Sequence, residues 1–208
     1  MEAMTSPTRT DPDLLWYVSY GSNANAERLA FYLRGGRPPG AMVTYPGARD
    51  ATPPRATDGV MLPGRIRFAA RSRVWGGSMA FYDHDTPGPA AARAYLITAA
   101  QFVDIAAQEM HRAPSPADPL GEVVAAGVPA EGIAVGPGHY ETLLRVGERD
   151  GLPMLTFTAP AGGRDLEPGL PTPTYLGMLT EGLAQGHGWD SARAREYFAR
   201  WDAFDRAA

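Results

Sequence analysis

Trp16-Tyr17-Val18-Ser19-Tyr20-Gly21-Ser22-Asn23 is a β-rich run that breaks into a Gly-Ser-Asn turn, followed by a helical pattern starting near Ala24. A strand that delivers a glycine turn to a helix N-terminus presents unpaired backbone N–H groups at the positive end of the helix dipole. Such a place suits a carboxylate or a phosphate. The same residues also fit a plain capped helix, with Ser22 or Asn23 as the N-cap. The rest of the chain has to decide between the two.

The chain has 208 residues, 44% of them hydrophobic and 20% charged, enough to bury one good core. One domain over residues 14–208 is therefore expected, preceded by a disordered tail over 1–13. The formal net charge is −4 and the arginines are scattered, so no electrostatic footprint for nucleic acid or an anionic membrane is present. A small-molecule substrate fits this balance better, and the oligomeric state stays open. The chain has no cysteine, which excludes disulfides, thiolate nucleophiles and cysteine-based zinc sites. Residues 1–13 are polar without an apolar core, and no segment approaches the roughly 18 apolar residues of a membrane span. A cytoplasmic protein is the expectation.

Glycine and proline punctuate the chain at 35–40, 46–54, 114–119 and 160–173, which read as loops. Between them lie β-like runs at 16–20, 42–45, 66–70, 78–82 and 94–97. Two more, at 140–146 and 152–158, flank Asp150-Gly151 and predict a hairpin with its turn within 148–151. Helical patterns occupy 24–33, 99–112, 175–184 and 191–205. Many short strands interspersed with helices predict a mixed α/β (α+β) domain, with a small barrel-like sheet flanked by helices.

Thr98 and Gln101 form a capping box that fixes where the 99–112 helix begins. In that register Phe102, Ile105, Ala106 and Glu109 share one face, whereas Asp104 and Gln108 point the other way and are expected to face solvent. A carboxylate on an apolar face needs a reason. Burial and the nearby helix C-terminus both raise its pKa, which suits a general base. The competing reading is a frayed helix end, or a surface pair between Glu109 and Arg112.

Tyr20-Gly21-Ser22-Asn23 after a strand, then Val74-Trp75-Gly76-Gly77-Ser78-Met79-Ala80, Ala92-Arg93-Ala94-Tyr95-Leu96, Gln108-Glu109 and Pro171-Thr172-Pro173-Thr174-Tyr175-Leu176, resemble the γ-glutamylcyclotransferase-like family in order and spacing. The resemblance covers roughly residues 15 to 185. It implies that the backbone N–H groups of the Gly21-Ser22-Asn23 turn hold the α-carboxylate of a γ-glutamyl group. It also implies that Glu109 is the catalytic acid/base. Tyr20 and Tyr175 are the phenols expected to shape the substrate site. This chain departs from the family pattern in the insertion from Met110 through the proline-rich loop to Pro119, and in the 191–205 helix. The Tyr197, Trp201 and Phe204 stripe of that helix is expected to pack against the domain.

The implied reaction is attack of the substrate's own α-amine on the γ-carbonyl, giving 5-oxoproline and a free amine or amino acid. It needs neither metal nor cofactor. Two alternatives stay open: pathway-specific γ-glutamyl removal or amide exchange on a biosynthetic intermediate, and a non-catalytic small-molecule binding domain of the same fold. Rival chemistries lack support. There is no Gly-x-Ser-x-Gly elbow, the four histidines are dispersed, and Tyr82-Asp83-His84-Asp85 reads as a solvated turn.

Overall fold

The computed structural model describes residues 13–201. The expected tail therefore lies, Asp13 apart, outside the described residues, as does the end of the C-terminal stripe at Phe204.

The opening strand organises the molecule. β1 (Leu14–Ser19) alternates its side chains between two apolar clusters. Leu15 and Tyr17 join one cluster, Trp16 and Val18 the other. An unbroken apolar run of this kind marks a strand covered on both faces. It pairs antiparallel with β5 (Ala90–Thr98) and parallel with β8 (Leu152–Thr158) at the centre of a six-stranded sheet of order β2-β5-β1-β8-β7-β6. β2 (Ala56–Leu62) and β6 (Ile133–Ala134) are its free edges. The sheet is thus open, and the barrel-like closure expected from the many short strands does not occur. β6 has two residues, too few to carry pairing round to β2. β3 (Arg65–Ala69) and β4 (Met79–Asp83) form a separate two-stranded ribbon.

One face of the sheet carries α1 (Ala26–Arg34), α2 (Ala99–Glu109) and α3 (Leu120–Ala126), and the other carries the ribbon with α4 (Pro173–His187) and α5 (Ser191–Ala199). The α2 capping box is present as expected, with Thr98 Oγ1 accepting from Gln101 N–H at 3.1 Å. α4 begins at Thr172, whose hydroxyl accepts the Tyr175 N–H, and stops at Gly188, which adopts φ 64. The expected hairpin forms between β7 (Thr142–Arg149) and β8. Arg149 pairs with Leu152, which leaves Asp150 (φ 54) and Gly151 (φ 72) as the two turn residues. Two residues with positive φ make the type I′ turn favoured by Asp-Gly. α5 packs as anticipated: Tyr197 and Phe198 are buried, and Tyr197 Oη accepts the Ala91 N–H at 2.8 Å. No helix among the described residues is long and apolar enough to cross a membrane.

Several sequence readings need correction. Residues 42–45 are not a strand, since only Tyr45 makes an isolated bridge, to Gly36. Asp104 and Gln108 do not face solvent, because the 47–52 segment covers their side of α2. Asp104 is 1% exposed and accepts from the backbone N–H and guanidinium of Arg49, while Gln108 bonds Tyr32 O and Gly47 N. Asp83 is not part of a solvated turn. It is fully buried and accepts from Arg67 at 3.0 Å and Arg164 at 2.7 Å.

Candidate active site

Beyond the end of β1 the chain enters a cavity of about 300 Å³. Tyr20, Gly21, Ser22, Asn23, Glu109 and Tyr175, the six site residues expected from the sequence, all line it. The turn differs in detail from the expected cap. Ser22–Ala24 form a short 3-10 turn, and Asn25, not Ser22 or Asn23, caps α1 by accepting the N–H groups of Glu27 and Arg28. The helix N-terminus is therefore already satisfied. The Gly21, Ser22 and Asn23 N–H groups donate to no acceptor among the described residues, so any anion-binding capacity here belongs to the turn itself. Gly21 has extended backbone (φ −102), and a Cβ there would meet only Tyr175 Oη, at 3.7 Å. Nothing in the fold demands glycine at this position, whereas a ligand approaching the backbone would.

Glu109 ends α2 at the cavity wall. Its Oε1 accepts from Asn23 Nδ2 at 3.0 Å, and Asn23 Nδ2 also reaches Tyr17 Oη at 3.2 Å. Burial raises the Glu109 pKa above its usual value, against the opposing pull of Arg28, Tyr32 and Asn23. The expected perturbation is present, although the apolar-face argument for it fails because α2 is buried on all sides. The surface-pair reading is also excluded: Arg112 binds Asp118 at 3.2 Å.

The two expected phenols behave differently. Tyr20 Oη donates to Phe157 O at 2.8 Å, so it forms wall. Tyr175 Oη accepts the Ala80 N–H at 3.2 Å, which leaves its hydroxyl hydrogen free to point to a ligand. Burial pushes both phenols up, so each stays protonated near neutrality.

Three comparisons with known proteins bear on this arrangement. No family model matches the chain. Histone deacetylase 5 of Arabidopsis thaliana is 28% identical over 199 residues, covering 88% of this chain and 30% of its own length. The chain thus spans under a third of that curated relative. Among solved structures, one titled gamma-glutamyl cyclotransferase superposes with a TM-score of 0.52 at 13% identity, covering 90% of this chain and 88% of the other. The fold is that of a γ-glutamyl cyclotransferase. An uncharacterized protein from Homo sapiens, solved by ensemble refinement, gives 0.50 at 14% identity with the same coverage.

On this γ-glutamyl cyclotransferase fold the cavity includes residues that the sequence reading missed. Arg28, 2% exposed, lies 4.5 and 4.4 Å from the ring centres of Tyr32 and Tyr45 and donates to their hydroxyls at 3.1 and 2.5 Å. Tyr140 supplies an aromatic after the insertion, its hydroxyl on Ala80 O at 3.1 Å. A signal for Arg28 was available, since it shares a helix face with Tyr32 at i+4 and sits beside the buried Leu29 and Leu33. Tyr45 and Tyr140 lie in loops, where no periodicity points to them.

Four buried polar atoms on cavity residues have no partner among the described residues: Asn23 Oδ1, Arg28 Nε and Nη1, and Thr156 Oγ1. Such groups are costly unless something enters to satisfy them. A wider groove of about 580 Å³ beside α2 and α3 contains none. Unsatisfied polar atoms, not volume, separate the two.

Proposed function

We propose that this chain is an enzyme of the γ-glutamyl cyclotransferase type, releasing 5-oxoproline and an amine or amino acid from a γ-glutamyl compound. The observation that carries the reading is the Glu109 carboxylate, raised in pKa and held by Asn23 of the Tyr-Gly-Ser-Asn turn inside one polar cavity.

The chemistry follows from the groups present. The free N–H groups of Gly21, Ser22 and Asn23 receive the substrate α-carboxylate, which folds the γ-glutamyl chain back on itself. Orientation of this kind accounts for much of the barrier in an intramolecular reaction. Ionised Glu109 takes a proton from the α-ammonium. The freed nitrogen attacks the γ-carbonyl carbon, the new C–N bond closes the five-membered ring, and the carbonyl electrons pass to oxygen. The free hydroxyl hydrogen of Tyr175 is placed to meet that oxyanion. Collapse re-forms the carbonyl and breaks the old C–N bond as protonated Glu109 returns its proton to the departing nitrogen; the ring nitrogen then gives up its second proton through the same carboxylate to the released amine, leaving the neutral lactam and an ammonium. No step calls for a metal or a cofactor. A raised carboxyl suits both halves of the exchange, since its proton affinity lies closer to neutrality.

Deacetylation, which the curated relative's name states for that protein, is not carried over. The match covers under a third of that relative, too little to bring its activity to this chain. The test is direct. The purified protein is incubated with γ-glutamyl amino acids, glutathione and γ-glutamyl amines, and 5-oxoproline is sought by mass spectrometry. Turnover of one narrow compound alone favours the pathway-specific alternative. Binding without turnover favours the non-catalytic one, and neither leaves the reading without support.

A further inference from the structure

The segment between β3 and β4, Arg71-Ser72-Arg73-Val74-Trp75-Gly76-Gly77, frames the mouth of the cavity. Its shape is fixed from within. Ser72 is buried, its Oγ accepts the N–H groups of Val74 and Trp75 at 3.1 and 2.9 Å, and its own N–H donates to Gly77 O at 2.7 Å. The loop is also tied outward, by Met42 N–H to Val74 O at 3.2 Å and by stacking of Trp75 on Tyr175 at 5.8 Å. With Ser72 turned inward, Arg71 and Arg73 on either side are exposed. Both line the cavity, and neither makes an ion pair or hydrogen bond with a described residue.

Arg49, Arg67, Arg112, Arg149 and Arg164 all pair with carboxylates, and the sequence as a whole carries a net charge of −4. Two carboxylates share the lining, Glu109 on Asn23 Nδ2 and Glu141 on the Gly138 N–H at 2.6 Å, and neither pairs with Arg71 or Arg73. Deeper in, the Arg28 guanidinium, with Nε and Nη1 unpartnered at 2% exposure, offsets the charge of Glu109. The lining thus sets three arginines against two glutamates, and its unpaired positive charge lies at Arg71 and Arg73, where it steers and holds anions.

We propose that Arg71 and Arg73 select substrates whose departing amine is itself acidic, an amino acid with an anionic side chain. The proposal rests on the γ-glutamyl reading, because Glu109 and the Gly21–Asn23 turn take the glutamyl end and leave the departing part to face the mouth. Solvent-exposed ion pairs contribute factors of up to about five each, so the two arginines together support a preference of about tenfold.

The experiment compares γ-glutamyl-glutamate with γ-glutamyl-glutamine, which match in shape and differ by one charge. γ-Glutamyl-O-phosphoserine serves as a third arm. The expected result is a kcat/KM about tenfold higher for the glutamate compound at low salt. The preference shrinks as salt is added and falls below twofold in the Arg71→Gln/Arg73→Gln protein, whose changes are at exposed positions. Equal rates on the two matched compounds, or a preference that survives in the double variant, overturns the proposal. A phosphoserine compound more than tenfold better than the glutamate one overturns the carboxylate assignment in favour of a phosphorylated leaving group. If no compound is turned over, the γ-glutamyl reading fails, and calorimetry with the same matched pair still reads the mouth. Tighter binding of the acid, lost in the double variant, then supports the charge selection, and equal binding removes it.

Discussion

Replacing Glu109 by Gln should act in opposite directions on activity and stability. The amide keeps the shape of the side chain, and its carbonyl can still accept from Asn23 Nδ2, which lies 3.0 Å from Glu109 Oε1. It cannot exchange a proton. General acid–base catalysis contributes about 10²–10⁴-fold, so kcat should fall by at least about 10². Stability moves the other way because the folded-state pKa of Glu109 is raised from 4.5, with burial outweighing the attraction of Arg28. Below pH 4.5 the group is protonated in both folded and unfolded chains and nothing is lost. As pH rises through the raised value, the fold must carry a charge it solvates poorly, and stability falls. Glutamine mimics the protonated form at every pH. Each unit of elevation is worth about 1.4 kcal/mol, and a chain of this size gains about 2–4 °C in Tm per kcal/mol. Glu109→Gln should thus match the wild type in Tm at pH 4 and exceed it at pH 7.5 by a few degrees. Thermal scans at both values, beside turnover assays, check this. A variant with more than a tenth of wild-type kcat, or a Tm gain as large at pH 4 as at pH 7.5, would refute the reasoning. The same raised value should place the acidic limb of the wild-type kcat/KM profile above 4.5.

Gly21→Ala should fold normally, since its Cβ meets only Tyr175 Oη at 3.7 Å, yet weaken substrate binding by tenfold or so if the turn N–H groups hold a carboxylate. An unchanged KM alongside an unchanged Tm would remove the turn from binding. Tyr175→Phe should lower kcat by about 10² with little change in KM, as loss of an oxyanion donor does; a KM effect alone would recast Tyr175 as a binding group. Asp104→Ala should cost about 2–3 kcal/mol, measured by urea titration, because it strands the Arg49 guanidinium; the figure is below that for a wholly buried pair because Arg49 is 37% exposed. Activity should survive exhaustive EDTA, since no group of three or more histidine, aspartate or glutamate side chains among the described residues is placed to hold a metal. Loss on chelation, restored by one divalent ion, would overturn a metal-free reaction.

Where local chemistry decides structure, the sequence was a good guide. The Thr98–Gln101 box, the Asp150-Gly151 turn and the break after Tyr20 each depend on residues within a few positions of one another. β2 was missed because Ala56–Leu62 includes Ala, Asp and Gly, poor strand formers that take their conformation from seven-residue pairing with β5. α3 was missed because it is a seven-residue helix directly after the insertion, too short to display a period. The site was half legible for the same reason. Asn23 and Glu109 are 86 positions apart, and their hydrogen bond depends on where β1 and α2 come to lie. A polar residue on an apolar helix face was the signal used for Glu109, and applied to α1 it finds Arg28. On α2 it is uninformative, because every residue from Gln101 to Gln108 is buried. What distinguishes Glu109 from the buried Asp104 and Gln108 is its opening to the cavity and the company it keeps. Asp104 has an arginine and Gln108 has its amide fully bonded, whereas Glu109 faces the cavity with a neutral amide as its direct donor. A buried group becomes available for chemistry when its partners leave its proton to be moved, and that condition is written in three dimensions.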